Sequence, residues 1–449
     1  MTSTLLQNLQ IPPPPEAAAT ELSLPLAFFD IPWLHFHPIR RLIFYEFPCS
    51  KSYFIDTLIP KLNDSLSITL KHYVPLAGNL LYPVNTENKP IIRFTPGDSV
   101  SLTVAESNKV FDNLIGNHAR DADQFYDFVP ELPLKEGPEY KSVPVVAVKV
   151  TLFLGRGICI GFANLHSLGD ASSIVGFIRA WAEISKFGGD EEYLIKQGDF
   201  SPLFDRSVIK DPKGVDDIYW SVMKNIPFKE TTFPLPTERV RATFILNQTD
   251  IKKLKDLVLS ENPGLVQVSS FVVATAYIWT CFVKSGEEVE DDEYFIFAVD
   301  CRSRITPPLP SNYFGNCLGY GMAKIKNREL VKNDGFVLAA KTIADDIKNR
   351  VNNKDEVLKG VENWMSEFSK IFEMRVLGIS GSPKFDLYSA DFGWGKARKV
   401  EAVTIDGEKY SMALCKSREF EGGLEVGWSL PKERMETFAA IFADGLNFS

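Results

Sequence analysis

The stretch from Val143 to Phe187 constrains the fold more than any other part of the chain. It opens with two β-rich runs, "VPVVAVKVTLFL" and "GICIGFAN", separated by Gly155-Arg156-Gly157. Runs rich in β-branched residues around a short glycine-bounded link predict a hairpin. After Asp170 the period changes. In "ASSIVGFIRAWAEISKF", Ile174, Phe177, Ile178, Trp181 and Ile184 fall on one face of a helix. Asp170 or Ser172 is placed to cap its free N-terminal N–H groups. The predicted order is therefore strand, corner, helix, and the corner carries His166.

A second strand–helix series begins at "VRATFILNQTDIKKLKDLVL", with Asp250 or Thr249 as the expected cap. It continues through the helix-like "SSFVVATAYIWTCFVK" and the strand-like "YFIFAVDCR", and "SMALCKSREFEGGLEVGWSL" reads as a hairpin about Gly422-Gly423. Upstream, Leu58, Leu62, Leu66 and Leu70 mark one buried helical face, and the prolines at 12–15 predict an extended N-terminal arm. Between the two series, residues 187–236 are polar and punctuated by Gly and Pro, as a crossover would be. A chain of 449 residues is long for one core. The reading is α/β, with an N-terminal domain over 1–186, a crossover over 187–236 and a C-terminal domain over 237–449.

A formal net charge of −9, with basic residues scattered, argues against a nucleic-acid partner. The six cysteines form no CxxC or CxxH pair, so a metal site is not expected, and buried free thiols favour a reducing compartment. The N-terminus has no basic segment followed by an apolar one, and no apolar run approaches the roughly 20 residues that span a bilayer. These features read as a cytosolic protein with no membrane partner.

The histidine corner admits several chemistries. A bland reading is a partly satisfied surface histidine beside a capping aspartate. A metal centre needs further ligands, and His35, His37, His72 and His118 make no recognisable ligand pattern. A Ser-His-Asp hydrolase typically carries a GxSxG elbow, which is missing. A general base needs only one imidazole, placed where two substrates meet.

Three stretches, in order, favour the last reading: "HSLGD" (His166–Asp170), "YFGNC" (Tyr313–Cys317) and "DFGWG" (Asp391–Gly395). With them the sequence resembles the plant BAHD acyl-CoA-dependent acyltransferases over essentially its whole length, and the YFGNC stretch is similar to the branch acting on anthocyanin and other phenolic glycosides. The resemblance implies two similar chloramphenicol-acetyltransferase-like domains, mixed sheets with flanking helices, and a solvent channel between the domains with His166 midway. It further implies a monomer that needs no cofactor, acyl-CoA being a co-substrate. His166 would be the catalytic base. Asp170 would point away from the imidazole and pair with an arginine of the other domain, for which Arg302 is the candidate. Asp391 and Trp394 would be structural. Ser380 and Ser382 are candidates for oxyanion or pantetheine contacts, and Ser269 and Ser270, opening a helix, for contacts to CoA.

The donor is the harder question. A malonyl group carries a carboxylate and needs a buried cation, whereas a hydroxycinnamoyl group needs an apolar slot. In "HPIRRLIFY", alternation sends Arg41 and Ile43 to one face and Arg40 and Leu42 to the other. By resemblance this strand borders the donor site with the Arg41 face inward, and Arg179 in "FIRAW" is a second candidate. Some malonyl-specific relatives have arginine eight residues after the histidine, where this chain has Ile174. Two further departures, Ala171 after the HxxxD aspartate and Ala397 after "DFGWGK", bear on loop geometry only. The expected reaction is malonyl transfer from malonyl-CoA to a sugar hydroxyl of a flavonoid, anthocyanin or other phenolic glucoside. Its alternative is coumaroyl or caffeoyl transfer; an idle ligand-binding relative and an acyl-CoA hydrolase are the rivals from other classes. The aglycone, the sugar position and the acceptor range are not legible.

Overall fold

Two large mixed sheets carry the molecule, and each half of the chain supplies most of one. The computed structural model describes residues 3–447 apart from 86, 191–200, 231–234, 263, 265, 266, 288, 372, 408 and 409. The first sheet runs, edge to edge, through Ser3–Ile11, Val100–Ser107, Val146–Phe153, Gly157–Asn164, Ile39–Glu46 and Lys399–Ala402. The expected hairpin lies within it, with Ile158 opposite Leu152 and Ile160 opposite Val150. Gly157–Asn164 is buried along its whole length. Backbone from outside the sheet presses on it so closely that a Cβ on Gly161 would lie 2.0 Å from the Phe128 carbonyl oxygen. The expected helix follows as Ala171–Lys186, buried on the predicted face through Ile174, Phe177, Ile178, Trp181 and Ile184.

The second sheet runs Leu318–Lys326, Asp292–Asp300, Arg375–Ser380, Ser411–Lys416, Leu424–Leu430, Val240–Leu246 and Arg120–Asp121. The predicted C-terminal hairpin is present, and Gly422 takes the positive φ that its turn requires. A four-stranded sheet of Leu22–Pro25, Ile91–Phe94, Asn79–Pro83 and Tyr140–Pro144 completes the first half.

The two halves exchange strands. Lys399–Ala402 leaves the second half to pair with Ile39–Glu46, and Arg120–Asp121 leaves the first half to pair with Val240–Leu246. A buried ion network joins the exchanged strands: Arg120 Nη1 lies 2.8 Å from Glu401 Oε1. Arg241 bridges the same glutamate at 3.2 Å and Asp406 at 2.6 Å. Every one of these side chains is almost wholly removed from solvent, so the charges are compensated by each other rather than by water.

Local expectations are corrected at three places. The proline run is preceded by an edge strand, Ser3–Ile11, whose register shift between Leu5 and Gln7 breaks the alternation that would have revealed it. Helix Gln248–Glu261 is capped by Asn247, and Asp250 is instead the third helical residue, returning its carboxylate to the Asn247 N–H in a capping box. Residues 215–223 of the expected crossover form a helix that buries Val215, Tyr219, Trp220 and Met223, a short amphipathic pattern overshadowed by the glycines and prolines around it. Residues 191–200 and 231–234 of the same segment lie outside the described residues.

Candidate active site

His166 begins a single 3-10 turn, His166–Leu168, directly after the buried strand and Leu165. The Leu165 N–H donates to the Val145 carbonyl at 3.0 Å, which continues the ladder one residue past the strand and fixes where the corner starts. Protein packs closely around the imidazole, yet part of the residue's surface stays open. Its pKa is lowered to about 4, first by burial, with Arg41 and His37 adding repulsion; its own carbonyl and Asn316 pull the other way. At neutral pH the ring is therefore uncharged and able to accept a proton.

Asp170 takes no part in this. It caps the following helix by accepting from Ser173 N at 3.2 Å, and its other oxygen accepts from Cys317 N at 3.1 Å. Arg302 meets it edge to edge, Nη1 to Oδ2 at 2.8 Å and Nη2 to Oδ1 at 3.1 Å. Burial alone would lower the pKa of Arg302, and the carboxylate more than reverses this. The pair, 2% and 5% exposed, joins the histidine corner to the second half of the chain.

Arg41 faces the same side of its strand as Ile43, opposite Phe162 and two residues from Asn164 on the neighbouring strand. Its Nη1 donates to Asn164 Oδ1 at 3.3 Å, and it has no acidic partner among the described residues. Burial lowers its pKa to about 10, so it remains a cation, and it is close enough to depress His166. Arg179 lies on the exposed side of the helix after the histidine, while Ile174 is buried. The structure thus brings Arg41 and His166 together and leaves Arg179 outside.

Ser380 ends the strand Arg375–Ser380, and Gly381 turns with φ +83°. Ser382 accepts from Lys384 N at 3.3 Å in that turn. Ser269 caps the helix Ser270–Lys284 through its hydroxyl, which accepts from Val272 N at 3.2 Å; Ser270 is the first helical residue. Asp391 folds the DFGWG loop by accepting from Gly393 N at 2.9 Å and Gly395 N at 2.8 Å, and it meets Lys186 at 3.0 Å. Trp394 packs edge-on against Tyr45, whose hydroxyl donates to the Ala390 carbonyl at 2.7 Å. These contacts account for both residues structurally.

Four residues near the base escaped the sequence reading. Trp33 stacks on His166 with ring centres 3.8 Å apart. Asn316, inside the YFGNC stretch, donates from Nδ2 to the His166 carbonyl at 2.9 Å and to Asp30 Oδ1 at 2.9 Å. Asp30 is fully buried and also accepts from Arg206 Nε at 3.2 Å. The available signal was a carboxylate embedded in the apolar run "AFFDIPWL", since a buried acid needs dedicated partners.

The arrangement is an uncharged imidazole at a strand end, between two halves of the chain, beside a half-buried cation. Crystal structures of similar fold are found at low sequence identity. Vinorine synthase superposes with a TM-score of 0.73 at 20% identity, covering 97% of this chain and 96% of that one. TRI101 of F. sporotrichioides, complexed with coenzyme A and T-2, gives 0.65 at 17% identity, covering 93% and 97%. The model of the Transferase family matches residues 10–444. The chain belongs to that family, the BAHD group, and is an acyl-CoA-dependent O-acyltransferase.

Among its relatives is malonyl-coenzyme:anthocyanin 5-O-glucoside-6'''-O-malonyltransferase of Salvia splendens, 54% identical over 98% of this chain and 95% of that protein. Phenolic glucoside malonyltransferase 1 of Nicotiana tabacum is 45% identical over 99% and 100%. Coumaroyl-CoA:anthocyanidin 3-O-glucoside-6''-O-coumaroyltransferase 1 of Arabidopsis thaliana is 33% identical over 96% and 95%.

Proposed function

We propose that the enzyme moves a malonyl group from malonyl-CoA to a sugar hydroxyl of an anthocyanin, flavonoid or other phenolic glucoside. The observation that carries this reading is Arg41, a half-buried guanidinium beside His166 with no acidic partner among the described residues. A largely desolvated cation in that state is a receptor for a carboxylate, and the malonyl group supplies one. The names of the relatives at 54% and 45% identity point the same way, and those of the coumaroyl-transferring relatives belong to proteins near 33%.

In this mechanism Nε2 of His166 takes the proton of the acceptor hydroxyl while its oxygen attacks the thioester carbonyl. The tetrahedral adduct collapses, the C–S bond breaks, and the proton passes from the imidazolium to the departing thiolate. No acyl-enzyme forms. Arg41 holds the malonyl carboxylate throughout, and the Ser380–Ser382 turn is assigned to the oxyanion or pantetheine. The N-terminus of helix Ser270–Lys284 is assigned to CoA, its free N–H groups and dipole suiting an anionic group. We assign the enzyme to the cytosol as a monomer. Its six cysteines are free, and no helix among the described residues is long and apolar enough to cross a membrane.

The deciding experiment gives the purified enzyme malonyl-CoA and coumaroyl-CoA together with an anthocyanin glucoside, and identifies the product by mass spectrometry. A malonylated product is expected. A coumaroylated one would keep the base and overturn the donor. Release of free acid without acceptor would make the enzyme a hydrolase.

A further inference from the structure

The indole of Trp33 lies flat on the imidazole of His166, the planes 7° apart and the ring centres 3.8 Å apart. Phe36 closes the arrangement edge-on, at 5.6 Å from His166 and 5.4 Å from Trp33. Trp33 ends the 3-10 turn Ile31–Trp33, and its N–H donates to the Asp30 carbonyl at 3.2 Å. The Asp30 carboxylate accepts from Ala27 N at 3.1 Å and from both the backbone and side-chain N–H groups of Asn316. That same Asn316 amide donates to the His166 carbonyl. One side chain from the second half of the chain thus ties the turn that carries the indole to the corner that carries the base.

We infer that Trp33 is a positioning residue for acyl transfer, which sets the plane of the His166 ring and so the line along which Nε2 meets the acceptor hydroxyl. This rests on the reading of His166 as the base. An imidazole with part of its surface open can rotate about its Cβ–Cγ bond. With an indole stacked on one face, intermediate rotations drive a ring edge into the indole, so the ring is held in the stacked plane. Asn316 fixes the other end by holding the main chain from which the ring hangs. The pairing matters because proton transfer needs the base within hydrogen-bond reach and aligned, and misplacement by an ångström costs about 10²-fold in rate.

The test uses Trp33→Phe and Trp33→Leu in the full-length enzyme, each checked for folding by circular dichroism and thermal unfolding. Expected for Trp33→Leu is a fall in kcat of about 10- to 100-fold, with KM for donor and acceptor nearly unchanged. Trp33→Phe, which can still stack, recovers most of the rate. The second readout is the His166 Cε1–H resonance, identified among five histidines by its loss in His166→Ala. The indole ring current moves it upfield in the wild type; Trp33→Phe keeps a stacked-ring shift and Trp33→Leu loses it, leaving only the contribution of Phe36. An unchanged kcat in Trp33→Leu, or an unmoved resonance, would overturn the inference. Full activity in His166→Ala would instead overturn the assignment of the base and leave the resonance test standing.

Discussion

Arg302 binds Asp170 through two parallel N–H···O contacts in a setting from which water is almost wholly excluded, and both oxygens of that carboxylate accept from Arg302, Ser173 or Cys317. The aspartate of the HxxxD stretch is therefore a fastener between the halves. Asp170→Asn removes the charge but keeps a capping oxygen, and leaves a buried guanidinium poorly compensated. Removing one partner of such a pair costs about 3–5 kcal/mol. Thermal unfolding should show a markedly lower midpoint, while the acid limb of kcat/KM stays in place. A shifted limb would bring Asp170 into the proton transfer.

Arg41→Gln should distinguish donors. The variant loses charge-assisted hydrogen bonds to a carboxylate, worth about 1.5–3 kcal/mol, which corresponds to roughly 10- to 150-fold in kcat/KM for malonyl-CoA. Acetyl-CoA, which has nothing to pair with Arg41, should be used about as well by the variant as by the wild type. Arg179→Ala, on the exposed helix face, serves as the control and should match the wild type. Equal losses with both donors would make Arg41 a structural residue.

The acid limb of the pH profile should lie well below that of an ordinary histidine. Burial, aided by Arg41 and His37, lowers His166 from 6.5 to about 4. A base works when deprotonated, so kcat/KM holds through mildly acidic pH and falls as pH drops through about 4. In the malonyl-CoA complex the donor carboxylate offsets Arg41 and removes one cause of the lowering. The limb of kcat should therefore sit at higher pH than that of kcat/KM. His166→Ala should lose about 10²- to 10⁴-fold in kcat.

Acid stability should depend on Glu401. Although burial opposes ionisation, Arg120 and Arg241 bring its pKa from 4.5 down to about 2. A carboxylate depressed in the folded state stabilises fully above about 4.5, and the contribution is lost as pH falls through about 2. Glu401→Gln should lower the thermal midpoint clearly at pH 6 and much less at pH 2. A constant difference across that range would deny the network its electrostatic role.

The histidine corner and its neighbours were legible because they are local. A hairpin, a capping aspartate and a helical stripe lie within one stretch of chain, and each has its own pattern in the residues. Strand alternation grouped Arg41 with Ile43 on one face, and the family resemblance rather than the alternation turned that face inward. The stack of Trp33, the bridge of Asn316 and the ion pair between Arg120 and Glu401 were not legible. Their partners are far apart in sequence, and nothing in the period of either segment records the other. Ser269 caps its helix with a hydroxyl committed to Val272 N, a backbone assignment that residue type alone does not reveal.

The strand exchange decides how substrates reach the base. Each half holds an edge of the other, so prising them apart would tear two ladders and strand a buried glutamate between two arginines. Hinge opening is therefore the wrong picture for this enzyme. Donor and acceptor must reach the base without the halves parting, because the frame that carries His166 is closed like a clasp.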